Sequence, residues 1–186
     1  SLNPETIRKH SDLKICYTSL HGTGITMVPK ALEMYGFKNI NIVSEQAIID
    51  GNFPTCKSPN PEEHSAMELG IKLAKEIDAD ILLATDPDAD RVGIAVKDQK
   101  NEFILINGNQ TATVLTYYIL KTLKENSRLK GNEYTIKTIV TSELIKKVSE
   151  SFGVKNYDVF TGFKFIADKM LQLEGKEKYI CGGEES

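Results

Sequence analysis

Seven consecutive residues, Thr85-Asp86-Pro87-Asp88-Ala89-Asp90-Arg91, concentrate the chemistry that this chain can do. Three carboxylates alternate along them: Asp86, Asp88 and Asp90. They stand between two apolar runs, Ile81-Leu82-Leu83-Ala84 and Val92-Gly93-Ile94-Ala95-Val96. Carboxylates packed this closely repel one another, and their pKa values rise unless a cation compensates. A hard divalent cation with oxygen ligands answers that need, and Mg²⁺ is the reading that the donor set favours. Arg91 adds a fixed positive charge beside the cation. Carboxylates for a metal and an arginine for an oxyanion together point to phosphate chemistry.

Four other readings compete for this stretch. An EF-hand calcium loop shares the D-x-D-x-D opening but needs Gly at its sixth position and Glu at its twelfth. Counted from Asp86, those positions hold Arg91 and Lys97, which excludes it. An aspartyl-phosphate phosphatase or phosphotransferase would use Asp86 as a strand-terminal nucleophile. A non-catalytic cation-binding module would use the acidic loop without chemistry. A plain solvated acidic turn fits poorly with three in-phase carboxylates, a stiffening Pro87 and an adjoining arginine.

The stretch TDPDADR resembles the metal-binding loop of the alpha-D-phosphohexomutases, the phosphoglucomutase/phosphomannomutase superfamily. Four further stretches carry the same resemblance in the family's order: His21-Gly22-Thr23-Gly24, Gly51-Asn52-Phe53-Pro54-Thr55, Thr161-Gly162-Phe163-Lys164 and Gly182-Gly183-Glu184-Glu185-Ser186. Together they span nearly the whole chain and look most like the bacterial phosphoglucomutase branch. Members of the family have four domains, the first three of a common α/β topology. The resemblance implies two tandem α/β domains with mixed, mostly parallel sheets. Residues 1–107 would be the second domain with the metal loop, and residues 108–186 the third domain in part, ending in the sugar loop.

The activity implied is transfer of a phosphoryl group between two hydroxyls of one sugar, converting sugar 1-phosphate to 6-phosphate. A phosphoserine of the first domain donates the group and a bisphosphorylated sugar forms. By position, Asp86, Asp88 and Asp90 would ligate Mg²⁺, and Arg91 would contact the phosphoryl group. Lys164 would lie near the substrate, and Glu184 and Ser186 would bind sugar hydroxyls. The partners implied are a phosphosugar and the missing domains I and IV. No stretch here matches the donor-serine loop or the last, phosphate-gripping domain. The expectation is a fragment that is inactive alone and binds metal weakly. The sugar stays open among glucose, mannose, glucosamine and pentose phosphates.

The elements that must position these residues read as alternating strands and helices, hence α/β. Leu13–Thr18 reads as a strand and His21–Gly24 as a loop opening a helix over Ile25–Tyr35, with Gly36 as its cap. Such a glycine turn can offer N–H groups to an anion, or merely permit the turn. His21 reads as a hydrogen-bonded scaffold residue rather than a base. A second strand, Asn39–Val43, precedes a long loop, Ile49–Pro61, of the kind that tends to be functional. A helix over Pro61–Ile77 starts on Pro61 and buries Ala66, Leu69, Leu73 and Ile77. Asp80–Ala84 reads as a strand covered on both faces, and Val92–Val96 with Phe103–Ile106 as a hairpin. Past a boundary at Gly108-Asn109, Asn109 would cap a helix over Gln110–Glu125. A strand over Thr135–Thr141, a Ser142-capped helix, a strand over Asp158–Phe160, a helix to Leu173 and a strand over Tyr179–Cys181 follow. Ligands of such sheets bind beyond the strands' carboxyl ends, where the acidic loop falls.

Composition is that of an ordinary globular chain: 186 residues, 40% hydrophobic and 26% charged. The net charge of −3 argues against nucleic acid as a partner. No run is long enough to span a membrane, and no signal peptide opens the sequence. Three scattered cysteines, Cys16, Cys56 and Cys181, form no CxxC pair. They suit a reducing, cytoplasmic setting rather than zinc or catalysis, and Cys16 and Cys181 read as buried strand residues.

Overall fold

The structure is a computed structural model, describing residues 3–185. It divides into two compact units, one from Asn3 to Asn107 and one from Gly108 onward.

In the first unit a short helix, α1 (Pro4–Lys9), leads into β1 (Lys14–Thr18), α2 (Val28–Tyr35), β2 (Asn39–Ile42), α3 (His64–Glu76), β3 (Ile81–Thr85), β4 (Val92–Lys97) and β5 (Phe103–Ile106). The strands form one sheet in the order β2-β1-β3-β4-β5. β1 pairs in parallel with β2 and β3, while β3–β4 and β4–β5 are antiparallel. The loops that follow β1, β2 and β3 therefore leave the sheet at one end. The acidic loop is one of them, and it returns at once into β4 through the pair Thr85↔Val92.

Helix α3 closes one face over Cys16, Leu82, Ala84, Ala95 and Phe103. Its closest face is lined by small residues rather than leucines: Ala66, Gly70 and Ala74 are buried with Met67, whereas Leu69, Leu73 and Ile77 flank them half-buried. Gly70 explains the rotation, because a Cβ there would come within 3.0 Å of Leu82 Cδ1. The helix begins at His64, not Pro61, which lies in the preceding loop against Gly93 of β4. The helix expected from Ile25 is a 3-10 turn over Thr23–Thr26 followed by α2 from Val28, with Pro29 in its first turn. Gly36 caps α2 in the left-handed region. Ile81 and Leu83 of β3 are only half-buried, so that strand is not sealed on both faces as its apolar run suggests.

The second unit runs α4 (Gly108–Glu125), β6 (Glu133–Thr138), α5 (Glu143–Ser151), β7 (Lys155–Val159), α6 (Phe163–Leu173) and β8 (Lys178–Gly183). Its sheet, β7-β6-β8, is wholly parallel. One face packs Tyr134, Ile136 and Val159 against Ile166 of α6. The other places Thr135 against Ser149 of α5 through a 2.8 Å hydroxyl contact. All six residues of the central strand β6 are buried, Glu133 and Lys137 included. Asn109 does not cap α4, which already starts at Gly108. Its Oδ1 instead accepts the backbone N–H of Ser142 at 2.7 Å, while Ser142 caps α5 as its sequence suggests. Cys181 lies in β8 but is half-buried, not buried. Among the described residues no helix is long and apolar enough to cross a membrane.

Candidate functional site

At the end of β3, Asp86, Asp88 and Asp90 bring one oxygen each within 4.8 Å of one another. Opposite ligands of an octahedral Mg²⁺ stand about 4.2 Å apart, so small side-chain adjustments suffice to close the set on a cation. Asp88 and Asp90 are exposed, but Asp86 is only 7% exposed. Burial pushes the Asp86 carboxyl above its ordinary value, the Arg91 N–H pulls it down, and the neighbouring Asp88 and Asp90 push it up again. A carboxylate held away from water between two others is a group that a cation would stabilise. The residues present thus fit a hard divalent ion.

The loop's shape comes from its own backbone. Ala89 N–H closes a turn on the Asp86 carbonyl at 3.1 Å, and Ala89 takes a φ of 63°. Arg91 N–H donates to Asp86 Oδ1 at 3.0 Å, and Arg91 Nε stands 3.8 Å from Asp86 Oδ2. The guanidinium is thus already beside the cluster while its side chain remains half exposed.

The loop after β1 braces this turn. Gly22 lies on Pro87, and Thr23 donates to the Pro87 carbonyl from its N–H at 2.8 Å and its hydroxyl at 3.0 Å. Gly24 makes room for Thr85 and Tyr17, whose hydroxyls meet at 2.8 Å. The anion-cradle reading of this loop does not hold. The N–H groups of His21, Gly22 and Thr23 are spent on the carbonyls of Gln46, Ser19 and Pro87. Its glycines serve close approach instead.

His21 is a scaffold residue. It is 2% exposed; Nδ1 lies 2.9 Å from the Ile48 carbonyl and Nε2 lies 2.8 Å from Thr55 Oγ1. A carbonyl only accepts, so Nδ1 donates to Ile48, while Nε2 pairs with the Thr55 hydroxyl. Gln46, buried beneath, takes the Thr18 hydroxyl at 2.7 Å and donates to Thr55 at 3.1 Å. This network straps the Gly51–Thr55 stretch beside the end of β1. Nothing local in the sequence marks Gln46 for that part. Cys16, pushed up to about 12 by burial, has no thiolate to offer.

In the second unit the loops after β6, β7 and β8 also leave at one end. Glu184 Oε2 accepts the N–H of Gly162 at 3.0 Å, so the carboxylate sits at the start of α6. Gly162 has a φ of 114°, which only glycine adopts readily. Lys164, in the first turn of α6, is exposed with its Nζ 5.0 Å from the centre of the Phe165 ring. Glu185 turns the other way and accepts the Thr141 hydroxyl at 2.7 Å. Ser186 lies outside the described residues.

Lys137 was not anticipated. It is 1% exposed, with Nζ 2.7 Å from Glu143 Oε1 and 2.9 Å from Asp158 Oδ1, and it donates to the Thr141 carbonyl at 3.1 Å. A lysine as the one charged residue of the expected strand Thr135–Thr141 was the available signal.

Known proteins resemble this chain in sequence and in fold. Residues 2–100 match the family model for phosphoglucomutase/phosphomannomutase, alpha/beta/alpha domain II, and residues 107–186 match that for domain III. The phosphoglucomutase of Staphylococcus aureus strain N315 is 42% identical over 177 residues, covering 95% of this chain and 31% of that protein. The chain therefore spans about a third of the length of such relatives. A phosphoglucomutase/phosphomannomutase family protein of Burkholderia thailandensis shares the fold with a TM-score of 0.71 at 20% identity, over 94% of this chain and 34% of that one. The N-acetylphosphoglucosamine mutase of Aspergillus fumigatus, solved with GlcNAc-6P and magnesium, does so with a TM-score of 0.59 at 15% identity, over 87% of this chain and 33% of that one. These matches do not favour the phosphatase or the bare cation module. With the domain II and domain III models matched in turn along residues 2–100 and 107–186, the chain belongs to the phosphoglucomutase/phosphomannomutase family.

Proposed function

We propose that this chain supplies the metal loop and the sugar loop of a mutase that interconverts sugar 1-phosphate and 6-phosphate. Residues 1–107 serve as its domain II and residues 108–186 as its domain III. Asp86, Asp88 and Asp90 hold Mg²⁺, and the bound ion supplies charge neutralisation for a phosphoryl group. Arg91 adds a guanidinium suited to phosphate oxygens. Phosphoryl transfer has a loose transition state, so holding and neutralising the group is most of what such residues must do. Glu184 and Ser186 orient sugar hydroxyls, and Lys164 offers its ammonium to the substrate's anionic end. The donor phosphoserine and a further phosphate grip belong to domains I and IV. The setting proposed is the cytoplasm.

The observation that carries the reading is the convergence of three carboxylates around the desolvated Asp86. The test is a full-length protein containing this chain, assayed on glucose 1-phosphate with Mg²⁺ and a bisphosphate activator. Asp88→Asn and Asp90→Asn should each demand more Mg²⁺ for half-maximal rate, and Glu184→Ala should raise KM. Unchanged kinetics in all three would overturn the reading. The chain alone should show no turnover and only weak Mg²⁺ uptake by calorimetry.

A further inference from the structure

Glu184 and Glu185 are neighbours in sequence but bond to different loops. Glu184 reaches the β7–α6 loop at Gly162, and Glu185 reaches the β6–α5 turn at Thr141. Behind Glu185 stands a chain of buried contacts. Thr141 Oγ1 lies 2.8 Å from Thr138 Oγ1, and the Thr141 carbonyl accepts from Lys137 Nζ at 3.1 Å. Lys137 is fixed by Asp158 of β7 and by Glu143 at the start of α5. In the sheet register Lys137 stands opposite both Asp158 and Gly183, the residue just before Glu184. One buried ammonium thus ties the carboxyl ends of β6 and β7 to the start of α5 and to the turn that receives Glu185.

We propose that Glu185 is a positioning residue: held by Thr141, and through it by Lys137, it fixes the backbone beyond β8 so that the Glu184 carboxylate faces the start of α6. This rests on the reading of Glu184 as a sugar-hydroxyl acceptor. The geometry explains why the anchor must be polar. Gly182 and Gly183 precede the two glutamates, and glycine backbone is intrinsically free to swing. Gly182 has to be glycine because a Cβ would come within 2.5 Å of the Ile136 carbonyl. A loop leaving two glycines needs a bond outside the sheet to settle its direction. A carboxylate accepting a buried hydroxyl is a strong, directional one.

The experiment uses the full-length protein with glucose 1-phosphate as the probe substrate. Thr141→Val keeps the side chain's shape and removes the hydroxyl. It should raise KM about tenfold, the loss of one charge-assisted hydrogen bond, with kcat within about twofold. Glu185→Ala should do the same without touching a buried position, which guards against a Thr141→Val protein that fails to fold. Thr141→Ser and Glu185→Gln keep donor and acceptor and should restore KM. Thr141→Val and Glu185→Ala enzymes with the parent KM, alongside a Glu184→Ala enzyme that has lost substrate affinity, would overturn the inference and leave the site reading standing. A Glu184→Ala enzyme with the parent KM would overturn the site reading, and the inference with it.

Discussion

Gly22 and Pro87 touch so closely that a Cβ on Gly22 would lie 2.2 Å from the proline Cα. The glycine's own backbone, at φ −101° and ψ 179°, is open to any residue. The demand for glycine is therefore purely one of space. Gly22→Ala should force the acidic turn outward, at a cost of about 1–3 kcal/mol as for other overpacked sites. Thermal unfolding of the chain checks the stability. Mg²⁺ titration of the full-length enzyme should show weaker binding than in the parent. Parent affinity would mean that the brace is irrelevant to the metal.

Asp86 differs from its two companions in being buried. Replacing it with Asn keeps the shape and removes a desolvated charge flanked by two others. In metal-free buffer Asp86→Asn should leave stability equal or higher, because Oδ1 can still accept from Arg91 N–H. Asp88→Asn and Asp90→Asn, both exposed, should hardly move it. All three should lose the stabilisation that Mg²⁺ gives the parent. Melting curves with and without the ion separate these outcomes.

Lys137 makes a prediction about alkaline pH. Burial pulls its pKa down, but the Asp158 and Glu143 carboxylates push it up further, and the balance is raised. A lysine raised in the folded state contributes stability that is full below its unfolded value, about 10.4, and is lost as pH rises through the folded value. Unfolding free energy should therefore stay level through neutral pH and fall steeply above about 10. Lys137→Met should flatten that alkaline limb. At pH 7 it should cost about 1–3 kcal/mol, since Glu143 and Asp158 can turn to water once freed.

His21 holds a φ of 64° while bonding with both ring nitrogens. Asn tolerates that backbone region better than Ala does and can still offer a polar group. His21→Ala should lose about 2–4 kcal/mol from two unmet partners and strain, and His21→Asn visibly less. Equal melting temperatures for the two variants would contradict the scaffold role.

The sequence made the acidic loop, the hairpin and the order of strands and helices legible because each is a local pattern. Alternating carboxylates at a strand end mark a candidate donor set for a cation without reference to anything distant. What stayed hidden was long-range. Residues 22 and 87 give no hint that one rests on the other, and glycines after a strand read as well for anion binding as for packing. The helix after the long loop looks from its sequence to start at Pro61 but starts at His64, because Gly93 takes that proline against the sheet. The leucines of α3 looked like its buried stripe, yet the helix turns its small residues inward where Gly70 meets Leu82. Asn109 read as a local cap and serves the next helix instead. In each case a tertiary contact outweighed local propensity.

The acidic loop is also short and pinned at both ends, since Thr85 and Val92 face each other across antiparallel strands. Its span cannot breathe without breaking that pair, so the six residues between work as a caliper whose opening is set by residue count. Adding or removing one would leave every carboxylate in place on paper while changing the gap between the jaws.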